Sequence, residues 1–472
     1  MSIHFGTDGW RAVIGDEFTF DNVRAVAQAI ADWTNESRTH EQPVMVVGYD
    51  TRFLSDRFAQ EVAEVLAGND IRVYLTRRDT PTPVLSYTVR RLKANGGVMI
   101  TASHNPARYN GIKVKTASGG SAPRADCERI EHHLRRGGAP QLLEFALAEQ
   151  FGLAHKIDPT PDYDMQLEML LRRGVIAARP GRIVVDAMHG AGRGHIARWL
   201  AGAGWQVTEI RNELNPGFGG VHPEPILPYL EALRSAVLAG GAALGLATDG
   251  DADRTGAIDE RGRFIDPHCI FALVLRHLVE KRGWRGAVVR SISMTQMIDR
   301  LCVRYGLPVM ETPVGFEPIG ELMQHDSVLI GGEESGGITI KHHVPVGDGI
   351  LMGLLLLEIV AAAGAPLGEL VDALRADVGP AHYARQDLRI ARAINKRTMT
   401  ERLLEEAPGS IAGVRVARTQ HTDGMKYLLA NGGWLLIRPS GTEPVLRIYA
   451  EAPEVDLLAR LLAFGQSIAA ML

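Results

Sequence analysis

Val44-Met-Val-Val-Gly-Tyr-Asp50 is a short apolar strand, Phe58-Ala-Gln-Glu-Val-Ala-Glu-Val-Leu66 a helix, Gly68-Asn-Asp70 a turn and Ile71-Arg-Val-Tyr-Leu75 a second strand. Strand, helix, glycine turn and strand in that order is the βαβ signature, with two parallel strands joined through a helix. The plan recurs twice. Ile183–Asp186 leads through a helix at Ile196–Leu200 and the glycines at 202 and 204 to Gln206–Ile210. Ala287–Arg290 leads through a helix around Met297–Val303 and the turn Tyr305-Gly306 to Pro308–Glu311. The strands are nearly unbroken Val/Ile runs, as expected when both faces of a sheet are covered. Three such units predict three related α/β domains.

Each unit is followed by a further apolar strand that ends in a glycine-rich polar loop. These are Gly97-Val-Met-Ile-Thr-Ala-Ser-His-Asn-Pro106, Ala243-Leu-Gly-Leu-Ala-Thr-Asp-Gly-Asp-Ala-Asp-Arg254 and Ser327-Val-Leu-Ile-Gly-Gly-Glu-Glu-Ser-Gly-Gly337. Ligands of α/β sheets bind at the carboxyl ends of strands, so the three loops could converge on one central cleft. Prolines in Lys156–Asp162, Gly364–Pro366 and Gly379-Pro380 mark linkers. Towards the C-terminus, Gly433–Arg438 and Val445–Ala450 flank Arg438-Pro-Ser-Gly-Thr-Glu-Pro444, and a helix starts at Val455. That predicts a smaller α+β domain after the three larger ones. The expected division is 1–155, 156–256, 257–370 and 371–472.

A chain of 472 residues exceeds what one core sustains and fits three or four domains. Its 51 Lys+Arg against 55 Asp+Glu leave a formal charge of −4, which argues against a protein built to grip nucleic acid. Cys127, Cys269 and Cys302 are far apart and odd in number, so neither a disulfide framework nor a cysteine zinc site is expected. Gly349–Gly364 is too short for a membrane span and is interrupted by Glu358; it reads as a buried helix. The N-terminus lacks the basic and apolar segments of a signal peptide, and a cytoplasmic protein with no membrane partner is expected.

Four loops carry chemistry. Asp249-Gly-Asp-Ala-Asp253 repeats a carboxylate at every second position directly after a strand, and alternate residues of an extended segment share a face. Three like charges held together call for a cation, and an all-oxygen set suits Mg²⁺. A solvated acidic turn is the plainer alternative. An EF-hand is excluded, because its sixth position is Arg254 rather than glycine. Arg254 suits a phosphate beside the carboxylates. Ser103, at the end of the Val98–Ile100 strand, can be an exposed nucleophile or an ordinary loop serine. Its neighbour His104 suggests a hydrolase pair, but adjacent residues at a strand end point apart, and no G-x-S-x-G elbow is present. Arg438-Pro-Ser-Gly-Thr442 can wrap an anion with a guanidinium, two hydroxyls and backbone N–H groups. Gly332-Glu-Glu-Ser-Gly336 offers partners for sugar hydroxyls, or is simply a polar hairpin.

Together with Phe5-Gly-Thr-Asp-Gly-Trp-Arg11, these loops in this order resemble the α-D-phosphohexomutase superfamily, in its phosphoglucomutase/phosphomannomutase branch, over essentially the whole chain. The resemblance implies three related α/β domains and a smaller C-terminal one around a central cleft. It implies Ser103 as phosphoserine and Asp249, Asp251 and Asp253, with a phosphoserine oxygen, as the Mg²⁺ ligands. Glu333 and Ser335 would bind sugar hydroxyls, and Arg438, Ser440, Gly441 and Thr442 would grip the non-reacting phosphate. Arg11 and Arg254 would attend the reacting phosphoryl group, and Lys113, in Asn110-Gly-Ile-Lys113, would be the acid/base.

The implied reaction interconverts hexose 1- and 6-phosphates, glucose first and mannose second, through a hexose 1,6-bisphosphate that also serves as activator. A phosphoglucosamine mutase, a phosphopentomutase and a catalytically quiet phosphosugar-binding relative are the alternatives. The partner is a small phosphosugar, and the chain would be a monomer or homodimer. Three positions depart from the family pattern. Glu317 replaces a lysine after Val314-Gly-Phe316, Gly337 stands where one branch has a histidine, and Gly347 replaces another lysine. His343 is retained beside that last position and is a second candidate acid/base.

Overall fold

The computed structural model describes every residue except 1–2, 7–8, 37–40, 391–393, 441–443 and 472. It forms two compact units, one of residues 1–286 and 315–370, the other of 287–314 and 371–472.

In the first unit, strand Val44–Tyr49 runs parallel to Arg72–Thr76 on one side and Gly96–Ile100 on the other. The helix Ser55–Gly68 between the first two buries Phe58, Val62 and Leu66 against them. The sheet then changes direction. Tyr109–Thr116 returns antiparallel to Gly96–Ile100, Trp10–Val13 adds to its far edge, and Ala154–Ile157 closes the opposite edge of this six-stranded mixed sheet. A second sheet repeats the design. Arg182–Asp186 lies parallel to Gln206–Ile210 and Leu244–Thr248, and Thr255–Asp259 returns antiparallel beside the latter. In both sheets the chain reverses just past the carboxyl end of a buried strand, at Ile100 and at Thr248. Those reversals are the serine loop and the aspartate loop.

The first unit also holds the hairpin Val328–Gly332/Ile338–Ile340 and the helix Gly349–Ala363. That helix is buried on nearly all sides from Gly349 to Ala361, as expected of its apolar run. Its one charge is answered internally: Glu358 accepts from His277, Arg282 and the Arg172 N–H. Asp348 caps the helix by accepting from the Leu351 N–H, which satisfies one of its orphan donors.

The second unit contains the parallel pair Ala287–Ser291/Val309–Thr312 with the helix Met297–Tyr305 between them. It also contains a six-stranded sheet in the order His382–Arg389, Val445–Ala452, Trp434–Pro439, Met425–Leu429, Val414–Gln420 and Ser410–Ile411, antiparallel throughout. Ile292 packs with Trp434, Leu436 and Tyr449, and buried Lys426 donates to the Ile292 carbonyl at 2.5 Å. Residues 287–314, expected inside 257–370, therefore share a core with the C-terminal sheet. No single helix among the described residues is long and apolar enough to cross a membrane. All three cysteines are buried.

Candidate active site

Ser103 sits at the first reversal with φ 51°, a left-handed conformation that non-glycine residues rarely adopt. The strain is held by a buried network. Arg52 Nη2 donates to the carbonyls of Ser103 and Asn105 at 2.5 and 2.7 Å, and Nη1 to those of Pro106 and Tyr109, both at 2.9 Å. Asp50 takes Arg52 Nε at 3.1 Å and the Thr101 hydroxyl at 2.6 Å, and Thr101 Oγ1 in turn accepts the Ser103 N–H at 2.8 Å. Burial pushes the Asp50 carboxyl up to about 6 against the pull of Arg52. The Ser103 side chain is buried rather than exposed as expected, and its Oγ donates to Asp249 Oδ2 at 2.8 Å. His104 does not point away either: its Nδ1 lies 3.5 Å from Ser103 Oγ, because the left-handed turn swings the two side chains together. Burial, with Arg254 and Arg11 nearby, lowers the His104 pKa well below its ordinary value. Arg11 Nη1 donates to Asn105 Oδ1 at 2.7 Å on the same loop.

The aspartates converge, though not by strand alternation. The strand ends at Thr248, and a turn with Ala252 at φ 58° gathers the three carboxylates within 4.8 Å of one another. Gly250 is required by close approach, since a Cβ there would lie 2.5 Å from the Ser103 carbonyl oxygen. Asp251 Oδ2 accepts from the Thr82 hydroxyl at 2.6 Å and from Lys113 Nζ at 2.9 Å, while Lys113 also donates to Asp253 Oδ2 at 2.8 Å. Burial and the charges of Asp253 and Asp251 raise the Asp249 pKa far above the carboxylate range. Asp251 feels the same burial, but Lys113 and Thr82 hold it low. The Arg254 N–H donates to Asp249 Oδ1 at 3.1 Å, and its guanidinium lies 3.8 Å from Asp253 and 4.0 Å from Glu224.

Glu333 follows the hairpin strand Val328–Gly332 and is buried; Ser335 Oγ donates to its Oε1. The Thr255 N–H, just past the aspartate loop, donates to the Gly336 carbonyl of the hairpin loop, and the Gly349 N–H at the start of the helix donates to the Ala252 carbonyl of the aspartate loop. A Cβ at Gly347 would collide with the Asp253 carbonyl, so this backbone path excludes any side chain at that departure. His343, the second candidate acid/base, is buried beside Asp348. Its Nε2 lies 2.8 Å from Asp348 Oδ2, which also accepts from Tyr163 Oη at 2.7 Å, and its Nδ1 is buried without a hydrogen-bond partner. The ring belongs to the cap of the Gly349–Ala363 helix, five residues being a short reach to Asp348. Glu317 is half-buried, and burial followed by the charge of Glu321 raises its pKa.

In the second unit, Arg438 Nε donates to Asp423 Oδ2 at 2.7 Å, and Asp423 also takes Lys396 Nζ and the Val314 N–H. Ser440 N–H donates to the Val445 carbonyl at 2.8 Å. Gly441 and Thr442 lie outside the described residues.

Sequence reasoning passed over Asp50, Arg52, Thr82, Thr101 and Asp423. Only Asp50 and Arg52 carried a usable signal, a charged pair directly at the carboxyl end of the central parallel strand.

Four domain families match the chain. Phosphoglucomutase/phosphomannomutase alpha/beta/alpha domains I, II and III cover residues 2–140, 165–262 and 266–377, and the C-terminal domain covers 394–464. A phosphoglucosamine mutase of Heliobacterium modesticaldum is 32% identical over 483 residues, covering 97% of each chain. A phosphoglucomutase/phosphomannomutase of Thermococcus kodakarensis is 30% identical over 461 residues, 98% of this chain and 97% of that one. Among solved structures, one from Thermus thermophilus, described as a candidate phosphomannomutase, shares 34% identity at a TM-score of 0.87, over 100% of this chain and 99% of the other. The open form of parafusin, a phosphoglucomutase from Paramecium, shares the fold at 22% identity and a TM-score of 0.85, over 99% of this chain and 95% of the other. With all four domain families in order and relatives aligned end to end, the chain belongs to the phosphoglucomutase/phosphomannomutase family of the α-D-phosphohexomutase superfamily and is an intramolecular phosphotransferase.

Proposed function

We propose that the chain interconverts hexose 1-phosphate and hexose 6-phosphate, the glucose pair first and the mannose pair second, through phosphorylated Ser103 and a hexose 1,6-bisphosphate. One observation carries the reading: the Ser103 hydroxyl is already bonded to a buried carboxylate of a three-aspartate cluster. A phosphoryl group on that oxygen would face like charges that a hard divalent cation reconciles. The donors fit such an ion. All three are carboxylates, Asp251 Oδ1 is buried without a hydrogen-bond partner, and an ammonium is already drawn onto two of them. Asp249, Asp251 and Asp253 would hold Mg²⁺, which when bound neutralises charge on the transferring phosphoryl group.

The chain's own residues do the rest. The P–Oγ bond at Ser103 breaks as a bond forms to the free sugar hydroxyl, Lys113 giving a proton to the departing Ser103 Oγ and taking the hydroxyl's in return; transfer back from the other end restores the phosphoserine. Arg11 and Arg254 steady phosphoryl oxygens. Lys113, an ammonium in this arrangement, serves as proton donor. Glu333 and Ser335 take sugar hydroxyls in either orientation, while Arg438, Ser440, Gly441 and Thr442 grip the distal phosphate. The bisphosphate primes Ser103. The working domain boundaries are 1–155, 156–256, 257–370 and 371–472.

A second reading, the glucosamine phosphate pair, is favoured by the 32% identity to a phosphoglucosamine mutase and by the adjacent Glu333 and Glu334, which suit a ring ammonium. A coupled assay over glucose, mannose and glucosamine phosphates, with bisphosphate and Mg²⁺, separates the two. Ser103→Ala should lower turnover on the preferred sugar by on the order of a thousandfold or more. Normal turnover in that variant would remove the phosphoserine reading, and phosphate release outrunning isomerisation would point to a phosphatase.

A further inference from the structure

Lys113 is fixed at its backbone by the sheet and held at its tip by two carboxylates. It pairs opposite Met99 in the first sheet, its side chain is 2% exposed, and its ammonium bridges Asp251 and Asp253 at 2.9 and 2.8 Å. Both carboxylates belong to the aspartate cluster, in which one oxygen from each of the three residues lies within 4.8 Å of the others. An ammonium and a dication held by the same two carboxylates repel, because they would stand only a few ångströms apart in a poorly screened site.

We propose that Lys113 is a tethered placeholder cation: its ammonium holds the Asp251–Asp253 pair until a divalent ion binds those carboxylates, and the ion's arrival releases Lys113 towards the transferring oxygen. Metal loading and the arming of the proton donor then become one event. No bond is made or broken and no proton is lost, for the ammonium keeps its charge as it moves. The arrangement also explains how the loop stays formed before loading. Three carboxylates, two of them buried, would repel one another in this loop, and a single cation on the adjoining strand holds two of them in place. Thr82 does not compete for this role, since its neutral hydroxyl can stay on Asp251 with either cation present.

The inference rests on the metal assignment within the proposed function and not on which sugar is turned over. Its test uses the full, unphosphorylated chain. Calorimetric titration with Mg²⁺ should give a dissociation constant roughly tenfold lower in Lys113→Met than in the wild type, the scale of one charge-assisted contact removed. Tighter binding alone could also reflect weaker repulsion of a neighbouring ion, so the second reading is nuclear magnetic resonance of ¹⁵N-labelled lysine ammonium groups. The chain has eight lysines, and the Lys113 signal is the one missing from the variant. It should shift or vanish in the wild type as Mg²⁺ saturates. A signal unmoved at saturation, or an affinity equal or weaker in the variant, overturns the placeholder role while leaving the metal site standing. Mg²⁺ binding to neither protein overturns both. Should Lys113→Met fail to fold, Lys113→Arg assigns the signal and the wild-type spectrum decides alone.

Discussion

Arg52 illustrates what a single residue can fix. Its guanidinium reaches four carbonyls between Ser103 and Tyr109, and its Nε reaches Asp50, so a planar fork of donors sets the shape of the whole serine loop. A lysine would keep the charge but not the fork. Arg52→Lys should therefore fold, retain KM within a few-fold, and lose kcat by about ten- to a hundredfold, since misplacing a nucleophile by an ångström costs on that order. Steady-state kinetics over both substrates checks this; a change in KM with kcat intact would show that the loop does not depend on the fork. The sequence could suggest Ser103 and the aspartates because their types announce chemistry. It placed Arg52 at a strand's carboxyl end but could not show its task, and it was silent on Thr82, because a buried arginine or threonine acquires its task only from long-range partners, here 51 and 169 residues away.

At the scale of an element, the hairpin Val328–Gly332/Ile338–Ile340 presents Glu333 in a buried position beside Glu334, and burial followed by that neighbour's charge lifts its carboxyl to about 7. The folded pKa is raised above the ordinary 4.5, so the folded chain holds a proton there that the unfolded chain has released. The stabilising effect is complete below about 4.5 and is lost as pH rises through about 7. Sugar binding has the opposite sign, because hydroxyls need the ionised acceptor. KM should rise as pH falls from about 8 to about 6, either side of that pKa, and Glu333→Gln should flatten the profile. A wild-type slope that survives the substitution would place the titration elsewhere. The hairpin itself was readable from its glycines and the apolar run before them. The aspartate loop was read correctly as a cluster but through the wrong local geometry, because a tight turn and an extended strand both bring alternate side chains together. The contact of His343 with Asp348 could not be read, because a motif gives a residue's neighbours in sequence and not the helix cap into which it folds.

For the molecule as a whole, the repeated strand–helix–strand texture was legible because parallel sheets need long, unbroken apolar runs that survive any change of loop. What could not be read was the packing of 287–314 on the C-terminal sheet, made by Ile292 meeting Trp434, Leu436 and Tyr449, residues with no sequence pattern in common. The aspartate cluster lies in the first unit, where its charges bear on the stability of that unit. An ion bound only by the folded form stabilises it by about 2.7 kcal/mol at a hundred times its dissociation constant. Mg²⁺ should accordingly raise the melting temperature of the transition that includes this unit by a few degrees, chelator should reverse the rise, and Asp251→Asn should abolish it. The variant must be scanned without the ion as well. Removing one buried charge relieves repulsion but leaves Lys113 with a single carboxylate, so its own melting point sets the baseline. A shift of equal size in wild type and Asp251→Asn would mean that the ion stabilises the chain from some other place, and the cluster would lose its claim to the metal.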